Sequence, residues 1–473
     1  MTSTTRRIAV GGALMLLACG DLDITNTNAP TADELAGAPS AATLARAAIG
    51  IQVLALNDVG TAIQFYGIYG REGYNLLNND PRETGEQIRG PQEAGGRSGG
   101  HWLGQYQAIR TINTFLAALP NSSLSPAQRS AASGFAKTMK AWHFYRLAVR
   151  SGTTGIPIDV DRPISAEPAP FVSFDEAMTA ASDLMDEAYT ELQAGGADFP
   201  FDFVPGYTGF ETPATFAEFN RGLAAKILVM RATFNNCAAC WAEASTAITA
   251  SFIDPAAPLD MGVYYGYTGA ANEAANPMTD PLDSEQFWAH PSIRANAQLQ
   301  PGGALDQRFL DKVIDAGRTR TVNSLSSSDK FILFNDPANP ADADTDADIA
   351  WLKNEELILL RAEIRWNTGN RLGAVQDIDL IRAQSGGLAP SGLTALSSDA
   401  AFIDELLYNR TYSLLWEQGA RWIDARRYNR LGTLPIDRPG GTTPDVVHPQ
   451  MLVPAGECDA RGLESPCDPL TSG

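Results

Sequence analysis

Apolar residues that recur every three or four positions constrain this chain more than any other feature of its sequence. Phe216, Phe219, Leu223, Ile227, Met230 and Phe234 form one such stripe, and Met178, Ala181, Met185, Ala188 and Leu192 another. Phe135, Met139, Trp142 and Val149 make a third, and Trp102, Tyr106, Ile109 and Leu116 a fourth. That spacing follows the 3.6-residue turn, so each stretch is expected to be an amphipathic helix with a buried face. Ser125-Pro126 and Ser173-Phe174-Asp175-Glu176 supply helix starts, because polar side chains there can satisfy the first orphan amides. Leu357, Leu360 and Ile364, then Leu372, Val375, Ile378 and Ile381, read as a hairpin broken at Thr368-Gly369-Asn370. Ile403, Leu406, Leu407, Leu414 and Leu415 line a further helical block.

Helices of this kind bury their stripes only by stacking on neighbours. The pairs at 102–119 with 126–149, and at 353–366 with 371–383, look like tetratricopeptide-type units, although no clean repeat of about 34 residues is present. The expected fold is mainly α: tetratricopeptide-like helical hairpins forming one body over residues 35–473, with long irregular loops. Three stretches lack helical periodicity, at 77–100, 254–348 and 432–473. Loops this long are uncommon unless they are functional or disordered, and 254–348 reads as a loop-rich insertion. Within it, Asp342, Asp344, Asp346 and Asp348 alternate as in a calcium loop. Ala347 and Lys353 stand where that motif needs Gly and Glu, so an acidic solvated loop explains the run as well.

Charge narrows the function classes. Lys plus Arg number 35 and Asp plus Glu 55, a formal charge of −20. Such a chain lacks the basic face that nucleic-acid binding requires, and no nucleic-acid partner is expected. At the amino terminus, Arg6-Arg7 precede an uncharged run, Ile8 to Ala18, that is too short to span a bilayer but suits a signal peptide. Leu16-Leu17-Ala18-Cys19 resembles a bacterial lipobox, which makes residues 1–18 a lipoprotein signal peptide. Cys19 becomes the lipid-bearing residue and 19–34 a lipidated tether. No later run is read as membrane-spanning, so the expected protein is anchored to a membrane by its lipid.

An exported chain meets oxidising conditions, and the four remaining cysteines allow three pairings. Local pairs, Cys237 with Cys240 and Cys458 with Cys467, are favoured over zinc or redox chemistry. Zinc would want a second close pair or histidines, and a thioredoxin-like site would want a βαβ context. No catalytic motif stands up. The histidines His101, His143, His290 and His448 form no metal-binding pair, and no phosphate loop or dinucleotide fingerprint occurs. Gly96-Arg97-Ser98-Gly99-Gly100 fits Gly-x-Ser-x-Gly, but the polar, glycine-rich residues before it cannot form the strand of a nucleophile elbow. Neither a cofactor nor a metal is expected.

Several segments, in order along the chain, resemble the SusD/RagB family of outer-membrane nutrient-uptake lipoproteins. They are Cys19-Gly20-Asp21-Leu22-Asp23-Ile24 with Asn28-Ala29-Pro30; Trp102-Leu103-Gly104-Gln105-Tyr106 with Ile109 and Asn113; and Lys140 to Leu147 with Gly155-Ile156-Pro157-Ile158. Near the carboxyl end come Glu355 to Glu363, Ile381-Arg382-Ala383, Arg410, Leu415 to Gly419 and Arg421 to Arg427. The resemblance implies a non-enzymatic lipoprotein of the bacterial outer membrane, at the cell surface. It would capture a nutrient, oligosaccharide or peptide with oligosaccharide the commoner, and deliver it to a TonB-dependent transporter. Two rivals from other classes are a helical-repeat scaffold for protein partners and a secreted glycan hydrolase.

In that signature Glu417, Arg421, Asp424, Arg426 and Arg427 alternate with Trp416 and Trp422 at helical spacing. A packed ion-pair and cation–π network explains them better than a ligand site. Ligand contacts are expected instead from loop residues outside any helical stripe. Tyr74, Arg82, Tyr265, Tyr267 and Trp288 combine rings that can stack on sugar faces with groups that can meet hydroxyls.

Overall fold

A computed structural model describes residues 30–163, 165–270, 273–440 and 443–471. Cys19 and the signal peptide lie outside them. The first described helix, Ala32–Ala36, begins within the segment read as tether and runs past its end. It is opened by a Thr31–Glu34 capping box.

The periodic stretches are helices. Pro126–Ser151 begins where Ser125 and Gln128 cap each other reciprocally, with proline in the first turn. Phe174–Gln193 starts with the same device between Ser173 and Glu176. Each box satisfies two amides that the helix cannot bond internally. Pro126–Ser151 packs on both Leu103–Ala118 and Phe174–Gln193, and the latter packs on Pro213–Phe234. Contact with Phe174–Gln193 is close at Gly134, where a Cβ would lie 2.7 Å from Leu192 Cγ. The hairpin Asn354–Asn367 with Arg371–Gln384 continues the stack, followed by Asp399–Ser413 and Ala420–Arg427. One large apolar core runs through the body, and a smaller one, around Leu359, Trp366, Ile378 and Phe402, lies within the last hairpin and its neighbour.

One segment does reach membrane-spanning length and apolarity, Ala41–Tyr69. It is two helices, Ala41–Leu54 and Val59–Tyr69, broken near Asp58, and the second is buried along almost its whole length. It is a core element of the helical body.

Residues 254–348 are more ordered than a loop-rich insertion. Phe287–Ala289, Val313–Val322 and Leu325–Phe331 join Gly73–Asn75 in a four-stranded antiparallel sheet, while Gly262–Tyr265 pairs with Ile349–Lys353. Gly262–Tyr265 and Phe287–Ala289 are only four and three residues long, too short to show alternation. The acidic run has a structural task. Asp348 accepts the Tyr267 amide at 3.1 Å and Asp346 accepts that of Gly269. No group of three or more metal-binding side chains occurs among the described residues. Cys237–Cys240 and Cys458–Cys467 are disulfides.

The signature residues form a buried ionic network that ties distant helices together. Arg410 Nε and Arg427 Nε each donate to Asp424 at 2.7 Å, and Arg427 also grips Glu363. Glu356 pairs with Lys226 at 2.9 Å, and Glu417 with Lys312 and Lys353, each at 2.8 Å. Arg426 lies 4.2 Å from the Trp422 ring centroid. Burial pushes the Asp424 carboxyl up, but Arg410 and Arg427 more than offset this and hold it below its ordinary range.

Candidate ligand-binding site

Four of the five residues picked for ligand contact are inside the protein. Tyr74 and Trp288 face each other in register across adjacent strands, with 1% and 0% of their surface exposed. Trp288 lies beneath Arg318 and Lys330 and donates its indole N–H to Glu285 O at 3.0 Å. Tyr265 stacks on Trp351 with centroids 4.5 Å apart and accepts the Trp142 indole N–H at 2.9 Å. Tyr267 is also buried. Their expected exposure is therefore corrected: the segments that carry them are strands and tight loops sewn into the core, whose anchors are these rings. Arg82 alone is at the surface, 49% exposed, holding Asp80 through Nε at 2.9 Å and Nη2 at 2.7 Å. Arg82 and Arg97 keep the Asp80 carboxyl well below its usual range. With all of Arg82's contacts directed at Asp80, it organises its own loop.

The histidines do not offer a free base. His290 bridges Asp437 at 2.9 Å and the Ser292 hydroxyl at 2.8 Å, in the manner of a hydrolytic triad. However, the same Nδ1 accepts the Ser292 amide at 3.0 Å, which makes His290 the cap of helix Pro291–Asn296. His101, His143 and His448 are buried, and burial lowers their pKa values to about 4, 3 and 4.

A surface groove of about 360 Å³ provides a better-formed site. Its walls are built by helix ends. Pro213–Phe234 stops at Asn235, and Asn236 takes a left-handed conformation (φ 54°), which asparagine tolerates better than most residues. The Cys237–Cys240 disulfide then closes a tight turn that delivers Trp241, half-buried, to the groove. Opposite stand Tyr428, also half-buried, and Asn429, in the second left-handed turn of the rim (φ 56°). Trp366 forms the floor. It is stacked on Phe402 at 4.1 Å, covered by Arg371 at 4.4 Å, and its indole N–H donates to Asp399 at 3.0 Å.

The groove combines two rings at its rim with polar side chains that the protein does not use up. The side chains of Asn236 and Asn429 are exposed and make no hydrogen bond among the described residues, and the Asn367 side chain spends only its amide N–H₂, on Glu363 O. Three helices, Pro213–Phe234, Asn354–Asn367 and Ala420–Arg427, end here and one, Asp399–Ser413, begins here, so three carboxyl-terminal dipoles and one amino-terminal dipole meet at it. Helix carboxyl ends present carbonyl oxygens and partial negative charge, a setting that favours hydroxyl donors and disfavours anions. A volume of this order is in the range of small-molecule sites, about 300–1,000 Å³. The groove went unseen in the sequence because Trp241, Trp366 and Tyr428 belong to three separate helical segments. The left-handed asparagines and the Cys-Ala-Ala-Cys turn were its only local trace.

No protein-family model matches the chain, and no curated protein matches it. Solved structures do. A SusD superfamily protein from Bacteroides vulgatus superposes with a TM-score of 0.65 at 14% identity, over 88% of this chain and 95% of its own. NanU of B. fragilis gives 0.63 at 13% identity, over 86% and 94%. A laminarin-binding SusD-like protein gives 0.59 at 15% identity, over 88% and 97%. The chain therefore has the SusD-like fold, as its sequence resemblance implies, and it has that fold over nearly the whole length of these structures.

Proposed function

We propose that this SusD-like chain is a lipid-anchored protein of the bacterial outer membrane that binds a neutral oligosaccharide and passes it to a TonB-dependent transporter. The observation that carries the ligand class is the groove between Trp241 and Tyr428. Sugar rings have apolar faces that stack on aromatic rings, and their hydroxyls need acceptors of the kind supplied by Asn236, Asn367, Asn429 and the helix ends. The laminarin-binding protein of the same fold supports a glycan as ligand. Binding without chemistry agrees with histidines that are all buried. Delivery to a transporter rests on the resemblance to SusD/RagB lipoproteins, and anchoring rests on the lipobox at Cys19.

Isothermal titration of the purified chain against a panel of neutral oligosaccharides, laminarin fragments included, tests the ligand class. Saturable binding to at least one of them, weakened in Trp241→Ala, is expected; charged glycans bound in preference to every neutral one would overturn it. For the anchor, Cys19→Ala should move the protein from the membrane to the soluble fraction. Retention of that variant in membranes would remove the lipoprotein assignment.

A further inference from the structure

The interior holds a second recess, with opposite electrostatics. A cavity of about 70 Å³ lies between the helices Val59–Tyr69, Pro126–Ser151, Pro213–Phe234 and Ala420–Arg427, walled by the rings of Tyr66, Trp142, Tyr145, Tyr265 and Trp351. Arg146, Lys226 and Arg410 also line it. Arg410, 2% exposed, commits Nε to Asp424 but leaves Nη1 with no hydrogen-bond partner. The Tyr145 hydroxyl, on a side chain 4% exposed, likewise has none. Three buried donors, these two and the Trp351 indole N–H, are thus unsatisfied at one cavity, and each is costly to leave so unless something occupies it.

Charge sharpens the case. Arg146 meets only the carbonyls of Ala55 and Asn57. Just beyond Tyr66, Arg150 meets Gly100 O, Ser98 O, Leu452 O and the Ser151 hydroxyl, and Arg426 meets Val149 O and two aromatic rings. Among the described residues none of these three arginines has a carboxylate within ion-pair distance, although the whole chain carries an excess of 20 negative charges. Of the carboxylates near the cavity, Glu356 serves Lys226 and lies 3.9 Å from Arg410, Asp424 serves Arg410 and Arg427, Glu417 serves two lysines, and Asp58 accepts the Gln105 amide N–H at 3.1 Å. Burial lowers the Arg150 and Arg426 pKa values to about 10.

We infer that the cavity binds a small monoanion, a halide or a carboxylate of the size of formate or acetate, between Arg146, Arg410 Nη1 and the Tyr145 hydroxyl. The volume admits about two waters, at about 30 Å³ each, or one such anion. Water would satisfy these donors but would leave Arg146 without a counter-charge. An anion meets both needs. The protein's negative surface does not prevent this, since exposed charges are screened beyond about 8–10 Å at ordinary salt. Arg146 and Gln418 are partly exposed and give the cavity its way in.

Thermal melts of the full chain in sodium bromide, sodium formate and sodium gluconate at matched ionic strength test the inference. Gluconate is too large for the cavity. The melting temperature should rise saturably with bromide and formate but not with gluconate. Arg146→Gln should raise the half-saturating bromide concentration at least tenfold, and Tyr145→Phe severalfold, with far-ultraviolet circular dichroism unchanged in both. A crystal soaked in bromide should show an anomalous peak in the cavity. Melts that follow ionic strength alone, shifts unaltered in the two folded variants, or a soaked cavity holding only water would each overturn the inference.

Discussion

The groove beside Trp241 and the cavity beside Tyr66 are built from the same kinds of residue, aromatic rings with a few polar groups. They suit opposite ligands. In the groove, three helix carboxyl ends and several asparagines face outward, and the nearby cations are occupied, Arg427 on Asp424 and Glu363 and Arg371 on Asp399. Around the cavity the carboxylates are shared among several cations, and arginines are left over. Residue composition does not set the ligand class; what decides is which charges the surrounding network has already consumed.

The comparison breaks most severely if the network itself is cut. Asp424→Ala strands Arg410 in the interior and leaves Arg427 with Glu363 alone, and removing one partner of a buried ion pair costs about 3–5 kcal/mol. Denaturant unfolding should show a loss of that size, and a loss under about 1 kcal/mol would mean that the network is dispensable. Because the Asp424 carboxyl is held below its ordinary range, its contribution is present above the unfolded pKa and fades as pH falls through the folded one.

Glu72 behaves in the opposite sense. It accepts the amides of Trp416 at 2.9 Å and Arg421 at 3.1 Å, clamping the turn that carries Gln418 and Ala420 to the cavity wall. Burial raises its pKa from 4.5 to about 7. Its protonated form is favoured in the folded state, so its stabilisation is complete below about pH 4.5 and is lost as pH rises through 7. Glu72→Gln should remove this dependence. Between pH 5 and 8 the wild-type protein should lose up to about 3 kcal/mol relative to the variant, and parallel stability curves for the two would refute the assignment.

The smallest effect sharpens the groove side. Trp241→Ala removes a half-buried ring and should weaken oligosaccharide binding by about 1–2 kcal/mol, measured by titration calorimetry, while the melting temperature hardly moves. Unchanged affinity would place the ligand elsewhere.

What the sequence settled by itself is local. Stripes at helical spacing mark the helices, Ser125 and Ser173 mark two of their starts, and the short separations within Cys237–Cys240 and Cys458–Cys467 favour the two disulfides present. The signature around Asp424 also reads correctly as a packed ionic network, because its charges and rings recur at the spacing of one helix. What only the tertiary structure decided is where unpatterned residues go. Tyr74 and Trp288 look like free loop aromatics until a three-residue strand from the start of the chain pairs with one far along it. Trp241, Trp366 and Tyr428 meet only once their three helices are stacked. Periodicity reports how a residue relates to neighbours within a few turns. Burial, charge compensation and the recesses that remain depend on contacts between segments hundreds of residues apart, which leave no repeat for the sequence to display.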